Sequence, residues 1–183
     1  MFTKNTYIKR REQLRKTMQN GLLLFQGNDE SPMNYTDNTY HFHQDSTFLY
    51  FFGLDHPDLG GVIDLDSGED FIFGNDVDMD DIIWMGAQPL LKDRAAEVGV
   101  NKTAAYKELE ELLTKAKSQG REIHILPPYR GETKMEIERL TGVNSHEVNT
   151  LISQDFIKAV VDLRSIKDQY EIVEIEKAID TAY

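Results

Sequence analysis

Apolar residues occur along the chain in two patterns, as short unbroken runs and as longer stretches at helical spacing. The runs are bounded by glycine, proline or polar residues, which predicts buried strands at 22–25, 62–65, 71–73 and 123–126. The spaced stretches predict helices at 4–19, 103–119, 132–141 and 149–162. Because the short polar segment 66–69 predicts an antiparallel hairpin, we expect an α/β fold class with a mixed β-sheet flanked by helices.

A dense aromatic segment from Thr47 to Phe52 follows a long polar stretch and ends at Gly53. An unbroken apolar run of this length predicts a further strand of the sheet. Residues 26–45 before it are polar and rich in turn formers, which predicts a long loop. A loop of that length in a compact domain is often functional.

The last predicted helix has a clear start and an unmatched apolar side. Asp168 and Glu171 are spaced as a capping box, and Ile172, Ile175 and Ile179 form an apolar stripe. The pattern continues to the last residue without a stop signal. We therefore expect a piece of a longer protein, with an N-terminal α/β domain at 1–163 and, at 164–183, a linker and the first helix of a second domain.

The composition is that of a globular protein without disulfides. The chain has 183 residues, of which 40% are hydrophobic, and no cysteine. These values allow one ordinary core and exclude a disulfide framework and thiolate chemistry. The N-terminus lacks the apolar core of a signal peptide, and the apolar runs are far too short to cross a membrane. We expect a cytoplasmic protein with no membrane partner.

The net charge of −12 argues against nucleic acid as a partner, since a phosphate footprint needs clustered Lys and Arg. The charge is uneven, however. Residues 1–20 hold six basic residues and one acid, for +5, so the remainder carries −17. The favoured interpretation is an amphipathic basic helix lying on an acidic body, and a nucleic-acid-binding arm is the alternative.

A small cluster of possible metal ligands lies at His41, His43 and Asp45. Imidazole and carboxylate are common zinc or manganese ligands, but a structural site needs about four of them, and the other histidines stand in no partner motif. The favoured interpretation is therefore hydrogen bonding that pins the loop. Because the chain also lacks a Gly-x-Ser-x-Gly elbow and a phosphate-binding glycine loop, we predict no metal site and no catalytic residue in it.

Three motifs occur in order along the chain. The first is Tyr-His-Phe-His-Gln-Asp-Ser at 40–46, leading into the aromatic run and Gly53. The second is Trp84-Met85-Gly86, after the acidic stretch 76–81, and the third is Arg-Ser-Ile-Lys at 164–167, followed by Glu171, Ile172 and Ala178. Together they resemble the N-terminal domain of the aminopeptidase P (Xaa-Pro aminopeptidase) family, in the creatinase and prolidase-like group. The family pattern usually carries Arg where His43 stands.

The resemblance implies a parent metallopeptidase that releases an N-terminal residue preceding proline. It implies two manganese ions in a C-terminal catalytic domain, held by two Asp, one His and two Glu, and none of those ligand motifs lies within 1–183. This chain would then be non-catalytic and would support homo-oligomer assembly and substrate access. For Trp84, the resemblance implies a side chain that reaches a neighbouring subunit's active site and stacks on proline. The alternative for Trp84 is a partly buried core residue.

Two other functions remain open on the sequence. One is a prolidase, which cleaves only dipeptides on the same architecture. The other is a peptidase-like module that has lost catalysis and binds protein partners. Metal ligands in the downstream sequence would identify an enzyme, and their absence would identify a binding module.

Overall fold

The structure is a computed structural model that describes residues 2–77, 82–84 and 86–182. Its strands are β1 (Leu22–Gln26), β2 (Pro32–Tyr35), β3 (Asn38–Thr39), β4 (Gly60–Asp64), β5 (Asp70–Phe73), β6 (Lys102–Ala104) and β7 (Ile123–His124). Its main helices are α1 (Lys4–Thr17), α2 (Ser46–Phe52), α3 (Leu91–Glu97), α4 (Lys107–Ser118), α5 (Gly131–Thr141), α6 (Gln154–Ser165) and α7 (Gln169–Ala182). A 3₁₀ turn at Val148–Leu151 precedes α6. None of the described helices is long and apolar enough to span a membrane.

The main sheet has five strands in the order β6-β5-β4-β1-β7. In its centre, β4 pairs antiparallel with both β1 and β5. At the edges, β7 pairs parallel with β1, and β6 pairs parallel with β5. The hairpin predicted around 66–69 is therefore present, and the predicted α/β class with a mixed sheet is confirmed. The pair β2 and β3 forms a separate two-stranded sheet within the segment that was predicted to be a loop.

The core consists of two layers, one on each face of the sheet. Successive residues of a strand point to opposite faces. Leu23 and Phe25 accordingly pack with buried residues of α1, α2 and α6, whereas Leu22 and Leu24 pack with those of α4 and α5. Burial of both faces explains why β1 is an unbroken apolar run.

The basic first helix lies against the acidic body, as predicted, but two of its cations are buried. Arg11 is fully buried and donates to Asp70 Oδ2 at 2.8 Å and to the carbonyls of Phe51 (2.7 Å) and Val98 (2.8 Å). Arg15 also pairs with Asp70. Burial raises the cost of the Arg11 charge, and these three acceptors offset it.

The predicted strand at Thr47–Phe52 is wrong, because the segment is the helix α2. Its buried residues Phe48, Phe51 and Phe52 are three and four apart, which is helical spacing. Gly53 ends the helix with φ of 68°, and a Cβ there would approach the Tyr7 ring to 2.3 Å. Only glycine fits such a position.

The other differences concern short elements. Helix α3 and strand β6 were not predicted, and the predicted helix 149–162 begins later, at Gln154, after the 3₁₀ turn. The capping box at the last helix is confirmed: Asp168 accepts from the N–H of Glu171 at 2.9 Å, and the Glu171 carboxylate accepts from the N–H of Asp168 at 2.9 Å.

Candidate functional site

The loops at the carboxyl end of β1 are held together by Gln44, which is buried. Its Oε1 accepts from the N–H of Asn28 at 2.7 Å, and its Nε2 donates to the carbonyl of His56 at 2.8 Å. Asn28 also donates from Nδ2 to the carbonyl of His43 at 2.9 Å. The polar motif at 40–46 therefore ties together three loops, which lie near residues 28, 44 and 56.

Asp45, the next residue of that motif, is the N-cap of α2. Its Oδ1 accepts from the N–H groups of Thr47 (2.9 Å) and Phe48 (2.8 Å). These bonds satisfy two of the amide groups that a helix leaves free at its start. Asp45 thus acts on the backbone of α2.

His41 and His43 are exposed, and their ring centroids lie 5.1 Å apart at an interplanar angle of 79°. They line a depression of about 610 Å³ together with Tyr129, Arg130 and Glu132. Across the described residues, no group of three or more His, Cys, Asp or Glu side chains can hold a metal. The hydrogen bonds that pin this loop come from Gln44 and Asn28.

A larger depression of about 920 Å³ lies beside the first one, and Asp29 lines both. Its charged lining includes Asp29, Glu30, Asp58, Asp76, Arg94, Glu136 and Arg139. Partial burial and the neighbouring carboxyl of Asp58 raise the pKa of Asp29 to about 6, although solvent still reaches Asp29. Burial, with Arg94 nearby, lowers the pKa of His56. The sequence offered no signal for this group, because single acids are spread along the whole chain.

Trp84 is 87% exposed and lies in a helical turn with Ile83, which is 73% exposed. The interpretation of Trp84 as a core residue is therefore wrong for this chain. The flanking residues 75–77 and 88–89 line the larger depression, so the segment that carries Trp84 starts and ends at its rim. The N–H of Leu91 donates to Asp76 Oδ1 at 2.6 Å and joins the two sides of the segment. The rest of the acidic stretch (78–81) and Met85 lie outside the described residues.

A model of the family described as aminopeptidase P, N-terminal domain, matches residues 7–125. The chain belongs to this family. The match contains the loops around Gln44 and the segment around Trp84, so the motifs at 40–46 and 84–86 lie within the matched range. The motif at 164–167 lies outside the matched range.

Two curated relatives carry names that agree with this family. "Probable Xaa-Pro aminopeptidase pepP" of Metarhizium robertsii is 23% identical over 161 residues, and "Probable Xaa-Pro aminopeptidase" of Ajellomyces capsulatus is 26% identical over 162. Each alignment covers 87% of this chain, but only 33% and 30% of the relatives. The chain thus spans about one third of the length of these relatives.

Solved structures of Escherichia coli aminopeptidase P share the fold. One in complex with substrate has a TM-score of 0.73 at 20% identity, covering 94% of this chain and 41% of that chain. The low-pH form has a TM-score of 0.73 at 22% identity, with the same coverage. The fold of this chain is therefore shared with about two fifths of a solved aminopeptidase P chain.

Proposed function

We propose that this chain is the N-terminal domain of a Xaa-Pro aminopeptidase, which hydrolyses the bond between an N-terminal residue and a following proline. The family match over residues 7–125 carries the proposal. The names of the two curated relatives support it, as does the fold shared with aminopeptidase P. Proline lacks an amide N–H and fixes φ, so its peptide bond requires a dedicated pocket.

By itself, the chain has a supporting role in this proposal. We place its α/β domain at 1–163 and assign 164–183 to the linker and first helix of a catalytic domain. The exposure of Ile172 (38%), Ile175 (44%) and Ile179 (51%) supports this boundary, since an exposed apolar stripe needs a covering surface. The parent would be a cytoplasmic homo-oligomer that acts on proline-containing peptides.

The implied metal is a pair of manganese ions, and the described part of this chain does not fit it. The nearest approach to a ligand set is the exposed pair of His41 and His43, and no third ligand joins them among the described residues. In the proposed parent the metal pair belongs to the catalytic domain, and a solved structure of zinc-substituted Escherichia coli aminopeptidase P in complex with product supports metal dependence.

Trp84 is the residue of this chain that we connect with substrate. Its exposed, flat side chain can cover a proline ring and exclude water from the bond beside it. In this chain the indole faces solvent, which suits a residue that acts on a neighbouring subunit. Trp84 would then form part of the wall of a substrate entrance in a homo-oligomer.

The test is peptide hydrolysis by the full-length protein, with and without added Mn²⁺. We expect turnover of Xaa-Pro peptides of three or more residues and release of the N-terminal residue alone. Turnover restricted to Xaa-Pro dipeptides would overturn the proposal in favour of a prolidase. A folded protein that hydrolyses neither class would instead be a peptidase-like binding module.

A further inference from the structure

The helix α7 lies on the surface of the α/β domain with few contacts. None of residues 169–181 is buried, and the apolar stripe of α7 faces outward. Its ion pair between Glu174 and Lys177 lies within the helix (2.7 Å). An ion pair between Glu171 and Arg10 joins the first turn of α7 to the domain.

Arg10 also belongs to a cluster of side chains around Tyr50 of α2. The guanidinium carbon of Arg10 lies 3.8 Å from the centroid of the Tyr50 ring, and that of Arg164 lies 5.6 Å from it. The Tyr50 hydroxyl donates to the carbonyl of Leu163 at 3.0 Å. Burial raises the pKa of Tyr50, so its hydroxyl stays protonated and remains a donor. Tyr50 thus touches α1 and the last turn of α6.

Arg10 links this cluster to α7. It is 4% exposed, and its Nη1 donates to the carbonyl of Tyr50 at 2.9 Å. Its Nε and Nη2 are shielded from solvent and make no hydrogen bond to the described residues. The counterion is Glu171 of α7, whose Oε1 lies 3.2 Å from Arg10 Nη2. A buried cation that loses its counterion is strongly destabilised, so Arg10 favours the docked position of Glu171.

Glu171 also makes a second interaction, at the first turn of α7. Its Oε2 accepts from the N–H of Asp168, and Asp168 caps α7 in return. One carboxylate therefore both starts the helix and binds it to α1. Because the two contacts share one side chain, they join the start of α7 directly to α1.

We propose that Arg10, Tyr50, Arg164 and Glu171 form a latch that fixes the direction of α7 relative to the α/β domain. If the proposed function holds, the latch positions the catalytic domain that follows α7. The latch itself is a property of this chain, and its test needs no catalysis. Failure of the latch and failure of the proposed function are therefore distinguishable.

The test measures a distance between spin labels. Since the chain has no cysteine, Glu111→Cys on α4 and Asp180→Cys on α7 place two labels at exposed sites. We expect a narrow distance distribution in the otherwise unchanged chain. Glu171→Gln keeps an acceptor for the capping hydrogen bond and removes the charge that Arg10 requires, so the distribution should broaden severalfold. Tyr50→Phe keeps the ring and loses the bond to Leu163, and an intermediate width is expected.

The matched control is Glu174→Gln, which removes an ion pair of the same helix without touching α1. Its distribution should stay as narrow as that of the unsubstituted chain. The latch is contradicted if Glu171→Gln leaves the distribution narrow. A broad distribution in the chain with Glu171 intact, or equal broadening by Glu174→Gln, also overturns it. A cooperative urea transition in every variant confirms that all of them keep the folded α/β domain.

Discussion

Some residues of the motifs at 40–46 and 84–86 bind backbone groups, and others are exposed to solvent. Gln44 and Asp45 are engaged with backbone groups of neighbouring loops and of α2. Trp84 is 87% exposed. Burial of a large apolar side chain is worth about 1.5–3 kcal/mol, so contact of Trp84 with a covering surface would be favourable. Trp84 is therefore a better candidate for contact with substrate than the histidines beside Gln44.

Trp84→Ala should damage catalysis in the full-length protein more than it damages folding. Removing a core tryptophan costs about 3–5 kcal/mol, whereas a surface substitution costs about 0.5 kcal/mol or less. We expect an almost unchanged urea midpoint. An aromatic contact worth about 0.5–1.5 kcal/mol corresponds to a two- to tenfold loss in kcat/KM, seen mainly as a raised KM for longer peptides.

The control for this variant is Ile83→Ala, because Ile83 is exposed in the same turn. It should leave both the midpoint and the kinetics unchanged. A large loss of stability with normal kinetics in Trp84→Ala would show that Trp84 is a core residue of the assembled protein.

Ionisation of Asp29 should lower the free energy of unfolding of the chain as pH rises. Its pKa is about 6 in the folded chain and about 3.9 in the unfolded chain. An acid whose pKa is raised in the folded state contributes to the free energy of unfolding. This contribution is complete below the pKa of the unfolded state and is lost as pH rises through the pKa of the folded state. Asp29→Asn removes this dependence on pH. The urea midpoint of the variant, relative to that of the unsubstituted chain, should therefore rise between pH 4 and pH 7.5.

The matched control is Asp37→Asn, an exposed acid of the β2–β3 turn. It changes the net charge equally, and its difference from the unsubstituted chain should stay constant over the same pH range. If both variants shift alike, the effect arises from the net charge of −12 and not from the Asp29–Asp58 pair.

At the scale of elements, the sequence predicts the strands and helices that are set by hydrophobic periodicity. It does not predict those that depend on capping residues or on tertiary contacts. Strands β1, β4 and β5 are apolar runs between turns and were predicted. The run 47–52 has the same appearance, but Asp45 and Gly53 are helix start and stop residues, and that signal was present in the sequence. Strand β6 is too short to show a period, and the burial of Arg10 and Arg11 depends on acceptors that are distant in sequence.

Asp45→Ala should destabilise the chain through α2. It removes the acceptor of two backbone N–H groups, and loss of an N-cap costs about 0.5–2 kcal/mol. Urea unfolding measures this loss directly. Asp45→Ser should restore most of the stability because serine is a good N-cap. If serine fails where alanine fails, the role of Asp45 lies in its charge and not in the cap.

For the whole molecule, the family and the fold are shown, and the reaction belongs to the proposed function. The charged depression is lined by residues on both sides of the segment that carries Trp84, and the apolar stripe of α7 is exposed. The sequence predicted the stripe from its apolar spacing. The charged depression itself could not be predicted, because the fold alone brings Asp29, Asp58 and Glu136 together.

The purified 183-residue chain should neither bind Mn²⁺ tightly nor hydrolyse Xaa-Pro peptides. A metal pair that activates water requires several carboxylate and imidazole ligands on one site. The described residues offer the His41–His43 pair without a third ligand. Elemental analysis after dialysis should find well under one manganese per chain, and a Gly-Pro peptide should remain intact.

His41→Ala and His43→Ala together form the control for weak binding at this pair. Any residual manganese should fall in this double variant, while the urea midpoint changes little because both side chains are exposed. Stoichiometric manganese that survives dialysis, together with turnover by the unsubstituted chain, would show that catalysis resides in this domain. The supporting role that we assign to it would then be wrong.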